Sequence, residues 1–434
     1  MNSDPAALSR RRFLHHSTTA LAAGGLASAL PFPHVARALD LRGDTLKLGL
    51  IGCGGRGTGA ANQALTADSN TELWAMGDVF ADKIEASEKS LAAQFKDKPG
   101  RVNVPDSRKF TGLDAYQKVI NSGVDLVLLA APGGFRPLHM RAAVEAGKHL
   151  FVEKPMGVCP AGVRSVRESV EIAKRKKLAV RQGFAMRYDP AYREAMRRVH
   201  DGAIGEVVAI YSTRMSNRLS RFDGSRKPEW GDLEWQLRNW HLFLWLSGDW
   251  IMEVSVHSVD KILWAMKDVP PVKCHASGGR WQQTVGNVWD QFDVTYYWEN
   301  GAIAVLKTRY MDKCHNQHDD VIIGTKGRCF LRSSSAEITG ANPWKYTGPK
   351  LAMHQVEHDE LFAELRAGRI PNDGDAMAQS TLAGVMGRMA AYTGQEVTWE
   401  QALNSKLDTM PKNLAWDMKL DVPPPAEPGK SPLI

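Results

Sequence analysis

Two observations predict an α/β chain in two parts: a doubly wound parallel sheet, then an α+β region with a large, mostly antiparallel sheet. From Thr45 to about Arg181, short apolar runs alternate with amphipathic stretches. That is the pattern of parallel strands covered by helices on both faces. Beyond Pro190 the apolar residues alternate with polar ones inside short segments joined by turn sequences, as in strands with one buried face.

In the first part, residues 46–51 form the first predicted strand, and residues 73–76 the second, ending at Asp78. Residues 124–130 suit a central parallel strand, followed by strands at 149–152 and 178–181. Helices are predicted over 58–67 and over 138–146, the latter stopped by Gly147. In the second part a helix over 190–201 precedes strands at 207–215, 272–277, 291–298 and 302–308. Glu299-Asn300-Gly301 is a hairpin turn between the last two, and Gly324-Thr325-Lys326-Gly327 a further turn. Late helices are predicted over 361–365 and 381–392, and the Pro-rich stretch 422–428 reads as extended. The domains expected are therefore 45–185 and 186–420, with a tail at 421–434.

Ahead of them stands a leader. Ser9-Arg10-Arg11-Arg12-Phe13-Leu14 is followed by a weakly apolar stretch over 18–30 and by Ala36-Arg37-Ala38, which fits an A-x-A cleavage site. Residues 1–38 thus read as a twin-arginine signal peptide. Its apolar stretch is shorter than the about 20 residues that span a bilayer, and no cysteine follows to carry a lipid. The expected mature protein is soluble and periplasmic or otherwise exported, with the twin-arginine translocase as its partner in export and no stable membrane anchor.

Formal net charge is +7, of which four Arg against one Asp in the leader supply +3. The remainder is too small to argue for nucleic acid. The run Lys174-Arg175-Lys176-Lys177 closes a predicted helix, where cations suit the dipole. Five scattered cysteines without C-x-x-C spacing do not form a disulfide framework, and Cys53 is assigned no redox role.

Gly52-Cys53-Gly54-Gly55-Arg56-Gly57 follows the first strand and opens a helix. In that context G-x-G-x-x-G is the dinucleotide fingerprint of a Rossmann domain. Gly52 permits the tight turn, Gly54 and Gly55 lie where the pyrophosphate meets the backbone, and Gly57 allows close helix packing. The phosphates then rest on the helix N-terminus. Asp78, about 21 residues after Gly57, is placed to bind the ribose hydroxyls and to repel a 2′-phosphate, favouring NAD over NADP. Arg56 is the counter-indication, since it could meet a 2′-phosphate or the pyrophosphate.

Glu153-Lys154-Pro155 follows a parallel strand at its carboxyl end, where open α/β sheets bind ligands. Lys154 there could polarise a substrate oxygen or shuttle a proton; a surface salt bridge is the plainer alternative. Glu253, His257 and Asp260 are spaced i, i+4, i+7 and would share one helical face. His257 suits a general base, and the carboxylate of Glu253 would orient it and raise its basicity. A metal site on that face and a merely solvated face are the competing readings; Asp260 is assigned a structural role, and no metal is predicted. His315 and His318, with Asp312 and Asp319, read as a polar loop or strand edge.

Tryptophans recur at Trp230, Trp235, Trp240, Trp245 and Trp250. A step of five turns about 140° on a helix, so some must be core while others could stack on a pyranose ring. Trp240, with Arg238, Asn239 and His241, is a candidate for contacts to hydroxyls, and Arg187 and Tyr188 are expected near the cleft.

Ala131-Pro132 at a strand end, followed by His139, then Ala146-Gly147-Lys148-His149 and Glu153-Lys154-Pro155, complete a pattern with the glycine turn and Asp78. On these residues the chain after its leader resembles the glucose-fructose oxidoreductase, inositol dehydrogenase and rhizopine-catabolism (Gfo/Idh/MocA) family. The resemblance implies that Ala131, Pro132, His139 and Glu153 line the cofactor and that Lys154 positions the nicotinamide and the reacting hydroxyl. It makes His257 the catalytic histidine, with Glu253 where Asp is usual. It also implies a homo-oligomer formed through the open face of the second sheet. The function expected is hydride transfer between a tightly bound nicotinamide cofactor and a sugar, glycoside or polyol. The alternatives are a redox-neutral glycosidase that oxidises, eliminates, adds water and reduces, and a non-catalytic sugar-binding or scaffold protein that retains NAD.

Overall fold

The computed structural model describes residues 41–102, 104–219 and 222–432, so the leader and its cleavage site lie outside the described residues. Six parallel strands form the first sheet: β1 (Leu46–Ile51), β2 (Thr71–Asp78), β3 (Lys109–Thr111), β4 (Leu126–Leu129), β5 (His149–Glu153) and β6 (Val180–Gly183). Their order is β3-β2-β1-β4-β5-β6. Chain direction through the sheet reverses between β1 and β4, and a crevice opens there at the carboxyl ends. All four residues of β4 are buried, as its unbroken apolar run requires. The edge strand β3 carries no such run, and the sequence pattern did not reveal it.

The second sheet has nine strands: β7 (Val207–Ser216), β8 (Lys273–Gly279), β9 (Gln291–Tyr297), β10 (Ile303–Tyr310), β11 (Gln317–Gly324), β12 (Gly327–Arg332), β13 (Ser335–Gly340), β14 (Trp344–Lys345) and β15 (Val397–Thr398). Their order is β14-β13-β12-β11-β7-β10-β9-β8-β15. Only β7 and β10 run parallel, and the others pair antiparallel. Alternate residues of β9 and β10 are buried, so one face of the sheet builds the core.

The helix Gly374–Thr393 fills the space between the two sheets. It packs on β8 and β9 on one side and on the helix Pro160–Lys176 on the other. Segments late in the chain reach back across the boundary expected near residue 185. The helix Met353–Arg366 lies against the helix Gly55–Ala67 of the first sheet, and Arg366 Nη1 donates to the carbonyls of Leu41 and Asp44, each at 2.8 Å. Farther on, Leu420 N–H donates to Asp232 at 3.2 Å while Gln236 donates to the Leu420 carbonyl at 2.8 Å. Trp416 there meets Phe80, ring centroids 6.1 Å apart.

The single helix expected through Glu253, His257 and Asp260 is broken. Trp250–Glu253 makes one short turn and Val256–Ala265 a second helix, with Val254 and Ser255 between them. The i, i+4, i+7 spacing therefore does not place the three side chains on one continuous helical face.

Candidate active site

A cavity of about 620 Å³ opens at the switch point. The glycine turn, Asp78 and the ends of β4 and β5 form one wall; Phe222, Trp240 and His241 are on the other. The turn fits a dinucleotide. Gly52 has φ +94°, which only glycine adopts without strain. A Cβ on Gly57 would stand 1.8 Å from the Gly52 carbonyl oxygen, so the helix can start here only without a side chain. Nothing lies within 4 Å of where a Cβ of Gly54 or Gly55 would point, which leaves the helix N-terminus open to a pyrophosphate.

Asp78 does two things. Its Oδ2 accepts from Cys53 N–H at 2.7 Å and its Oδ1 from Phe80 N–H at 3.0 Å, so it braces the turn while facing the cavity. Burial pushes its pKa up, against those two donors. The Cys53 thiol is buried and pushed well up, hence neutral. Arg56 lines the cavity and is paired there: its Nε lies 3.1 Å from Glu153 Oε1 and its Nη2 donates to Gln63. The cause is Glu153, a carboxylate 3% exposed that needs a cation.

Ala131 and Pro132 line the cavity beside His139, which stacks on Tyr116 at 4.4 Å and on Phe135 at 5.6 Å. Burial, then Arg136, push its pKa down to about 3, so this ring is neutral. Lys154 stands at the end of β5, where its Nζ donates to the Glu253 carbonyl and lies 3.1 Å from Glu253 Oε1. Behind them is Arg136, 2% exposed, donating to the carbonyls of Leu129 and Pro155. Nothing in its spacing marked Arg136 out.

His257 sits in the first turn of the helix Val256–Ala265, edge-on to Phe184 at 5.9 Å. Its Nδ1 has no hydrogen-bond partner among the described residues. Burial, then Lys154, push its pKa well down, with Arg214, His354 and Lys261 adding to the effect; the ring is neutral. The carboxylate expected to raise its basicity is turned to Lys154 instead, because the chain breaks at Val254–Ser255. Burial pushes the Glu253 carboxyl up, opposed first by Lys154.

Arg187 and Tyr188 are not at the cleft. Arg187 grips Asp260 at 2.8 Å and Asp268 at 2.6 Å, and Tyr188 meets Arg181 at 2.9 Å and Asp373 at 3.2 Å. Asp260, fully buried, also takes Ser380 Oγ at 2.7 Å, which gives it the structural role expected. Arg238 stands at the far end of the cavity, over the Phe80 ring at 3.9 Å and bonded to Glu234 at 2.8 Å. That places it with the strand end carrying Asp78 rather than near Lys154.

The tryptophans divide as the five-residue step requires: Trp245 and Trp250 are buried, while Trp230 and Trp240 line the cavity. Asn239 is tied to the backbone of Gly224 and Ser225. His241 stacks on Phe222 at 4.0 Å, and its Nε2 is 4.0 Å from Glu253 Oε1. Asp312 pairs with Arg218 at 3.0 Å, and His318 and Asp319 lie on β11. Of the helix Met353–Arg366, sequence reasoning placed only the end, over 361–365, and missed the first half, which carries His354, Glu357 and His358 against the fingerprint helix. Its only signal was a pair of polar residues, Glu357 and His358, on the face that the apolar period marks as inward.

The fold and the glycine turn define a two-domain protein with a Rossmann dinucleotide-binding domain. The family model described as the oxidoreductase family, NAD-binding Rossmann fold, matches residues 46–184, and that of the GFO/IDH/MocA C-terminal domain matches 192–330. The two matches together take in most of the chain: it belongs to the Gfo/Idh/MocA family, and its first domain is an NAD-binding one. It is 30% identical over 167 residues to the inositol 2-dehydrogenase of Acidothermus cellulolyticus, covering 38% of this chain and 44% of that protein. The chain thus spans about half the length, or less, of the curated relatives it matches first. Among solved structures, the aldose-aldose oxidoreductase of Caulobacter crescentus superposes with a TM-score of 0.63 at 19% identity, over 82% of this chain and 99% of that one. The WlbA dehydrogenase of Bordetella pertussis, in complex with NADH and UDP-GlcNAcA, gives 0.64 at 18% identity, over 82% and 98%. Those likenesses bear on the fold alone.

Proposed function

We propose that the chain is an exported NAD-dependent oxidoreductase that transfers a hydride between a retained nicotinamide cofactor and a hydroxyl of a sugar, glycoside or polyol. The observation that carries this reading is the Lys154–Glu253 pair, 3.1 Å apart at the cavity wall by the carboxyl end of β5. Inositol 2-dehydrogenases among the matched relatives support the substrate class.

Bound NAD supplies the hydride acceptor. An ammonium has three N–H donors, and Lys154 spends two on Glu253, on its carbonyl and on its carboxylate. The third is left for the reacting oxygen, where it stabilises the charge that develops as the proton leaves. A neutral His257 one turn farther on accepts that proton. Trp240 and Phe222 close the opposite wall with apolar surface suited to a sugar ring.

The twin-arginine leader supports export, and a chain separated from the cytoplasmic NAD pool must carry its nucleotide with it. Association into a homo-oligomer fits the open face of the second sheet, where Tyr211, between the buried Ile210 and Ser212, stands 46% exposed. The test is to purify the folded protein, denature it, and identify the released nucleotide and its redox state. The intact protein is then challenged with a panel of sugars and polyols while nicotinamide absorbance is followed. A protein that emerges nucleotide-free and binds no added NAD refutes the proposal. Replacing Arg10 and Arg11 by lysine is expected to leave the protein in the cytoplasm; normal export of that variant would remove the twin-arginine route, and wild-type protein found only in the cytoplasm would remove the localisation.

A further inference from the structure

The helix Met353–Arg366 brings to the site a pair of groups that the chemistry above does not use. Gln355 Nε2 donates to the Gln63 carbonyl at 3.0 Å, Gln63's side chain accepts from Arg56, and Arg56 Nε is 3.1 Å from Glu153. This run of contacts links the first turn of the helix to Glu153, the neighbour of Lys154 in the chain. In that turn His354 Nδ1 lies 3.3 Å from Glu357 Oε1. The Glu357 side chain is fully buried, whereas His354 is 35% exposed, so one ring nitrogen is held inside while another edge of the ring reaches water. Lys154 and Glu253 are more enclosed, at 14% each.

Oxidising a hydroxyl liberates a proton as well as a hydride, and an enclosed site needs an outlet for it. We propose that His354, oriented by Glu357, is the group through which the proton of the substrate hydroxyl leaves the site; this rests on the function proposed above. The alcohol O–H bond breaks and its electron pair becomes part of the new C=O bond as the hydride goes to NAD. The proton passes from the Lys154–His257 neighbourhood to the outer nitrogen of His354 and on to water, and reduction runs the same path in reverse. The charged and titratable groups that face His354 are Arg56 from the helix Gly55–Ala67, Lys154 from the end of β5, His257 from the helix Val256–Ala265, and Glu357 and His358 on its own helix. Burial, then Arg56 and Lys154, push the ring down to about 4, so at neutral pH it passes a proton on rather than keeping it. Glu357 is pushed the other way, by burial and by Glu153, which favours a neutral Glu357–His354 pair over an ion pair.

The test uses the full-length holoprotein mixed with a sugar it oxidises, following nicotinamide absorbance and proton release to an indicator dye in parallel. His354→Gln, which keeps a polar side chain but cannot relay a proton, is expected to slow turnover and proton release by at least ~10-fold. Nucleotide binding, read by fluorescence, stays unchanged. His354→Ala is expected to behave likewise and to recover when imidazole is added, which a merely structural role would not allow. Wild-type rates of proton release in His354→Gln, or a slowed His354→Ala that imidazole does not restore, overturn the inference. If the wild type reduces no nicotinamide with any sugar or polyol, the proposed function fails and takes this with it. If the wild type turns over and the variants match it, this inference alone fails.

Discussion

Replacing Lys154 by Met tests the centre of the site, because it removes the ammonium while keeping the length of the side chain. Catalysis loses the one N–H not already bonded to Glu253, the donor set toward the reacting oxygen. Loss of such a preorganised donor lowers kcat by ~10²–10³, with the KM for the sugar little changed. Stability changes too, and with a definite sign. The variant leaves the carboxyl of Glu253 enclosed with Arg136 as its nearest remaining cation, so its pKa in the folded protein climbs further above the usual range. A carboxyl raised in the folded state costs nothing below its unfolded value, costs more as pH rises from there toward the folded one, and levels off above it. The variant should therefore melt near wild type at pH 5 and be weaker by about 1–3 kcal/mol at pH 8. Adding Glu253→Gln should recover the lost stability at pH 8 but not the activity. The assay pairs nicotinamide absorbance on mixing with sugar with thermal melts across pH. Oxidation by Lys154→Met within about threefold of wild type would refute the role of the lysine; melts with no pH dependence would refute the account of Glu253.

Two glycines of the turn separate folding from binding. Gly54→Ala adds a methyl to open space, so its melting point should hold while nucleotide affinity falls at least ~10-fold by equilibrium fluorescence. Gly57→Ala puts a Cβ 1.8 Å from the Gly52 carbonyl and should lose several kcal/mol, at least about 3, in a denaturant melt. His139 predicts the acid limb of stability. The unfolded chain protonates it near pH 6.5 and the folded one only near pH 3, so the native state loses ground as pH falls between them, by at most about 5 kcal/mol. His139→Phe, which keeps the stack on Tyr116 and Phe135, should flatten that limb in melts recorded from pH 7 to pH 4.

What the sequence disclosed was local. The strand Leu46–Ile51 coincides with its predicted bounds because an apolar run followed by a glycine turn leaves little freedom. Asp78 and Lys154 were legible for the same reason: each ends a parallel strand, and the ends of such strands face the crevice. What stayed hidden depends on partners distant in the chain. Periodicity joined Glu253 to His257, but the break at Val254 and Ser255, where the Ser255 hydroxyl meets that of Tyr310 on β10, is invisible from spacing. The pairing of Arg56 was hidden because nothing nearby in sequence shows that Glu153 is buried beside it. Arg187 looked like a cleft residue because its partner, Asp260, lies in another helix. His354 was missed because its helix reaches the fingerprint only through the tertiary fold.

The place of Arg366 and Leu420 in the fold also sets an order for biosynthesis. Arg366 closes the start of the first sheet by bonding to Leu41 and Asp44, and the segment around Leu420 is laced to Asp232 and Gln236 beside the cavity. The nucleotide-binding half therefore leaves the ribosome first but is completed almost last. A nascent chain halted midway through the second sheet lacks the helix that braces the glycine turn and the strand of chain that meets Phe80. Bracing of the glycine turn and of the chain beside Phe80 is thus an event of the finished polypeptide, which ties the last residues made to the first sheet formed.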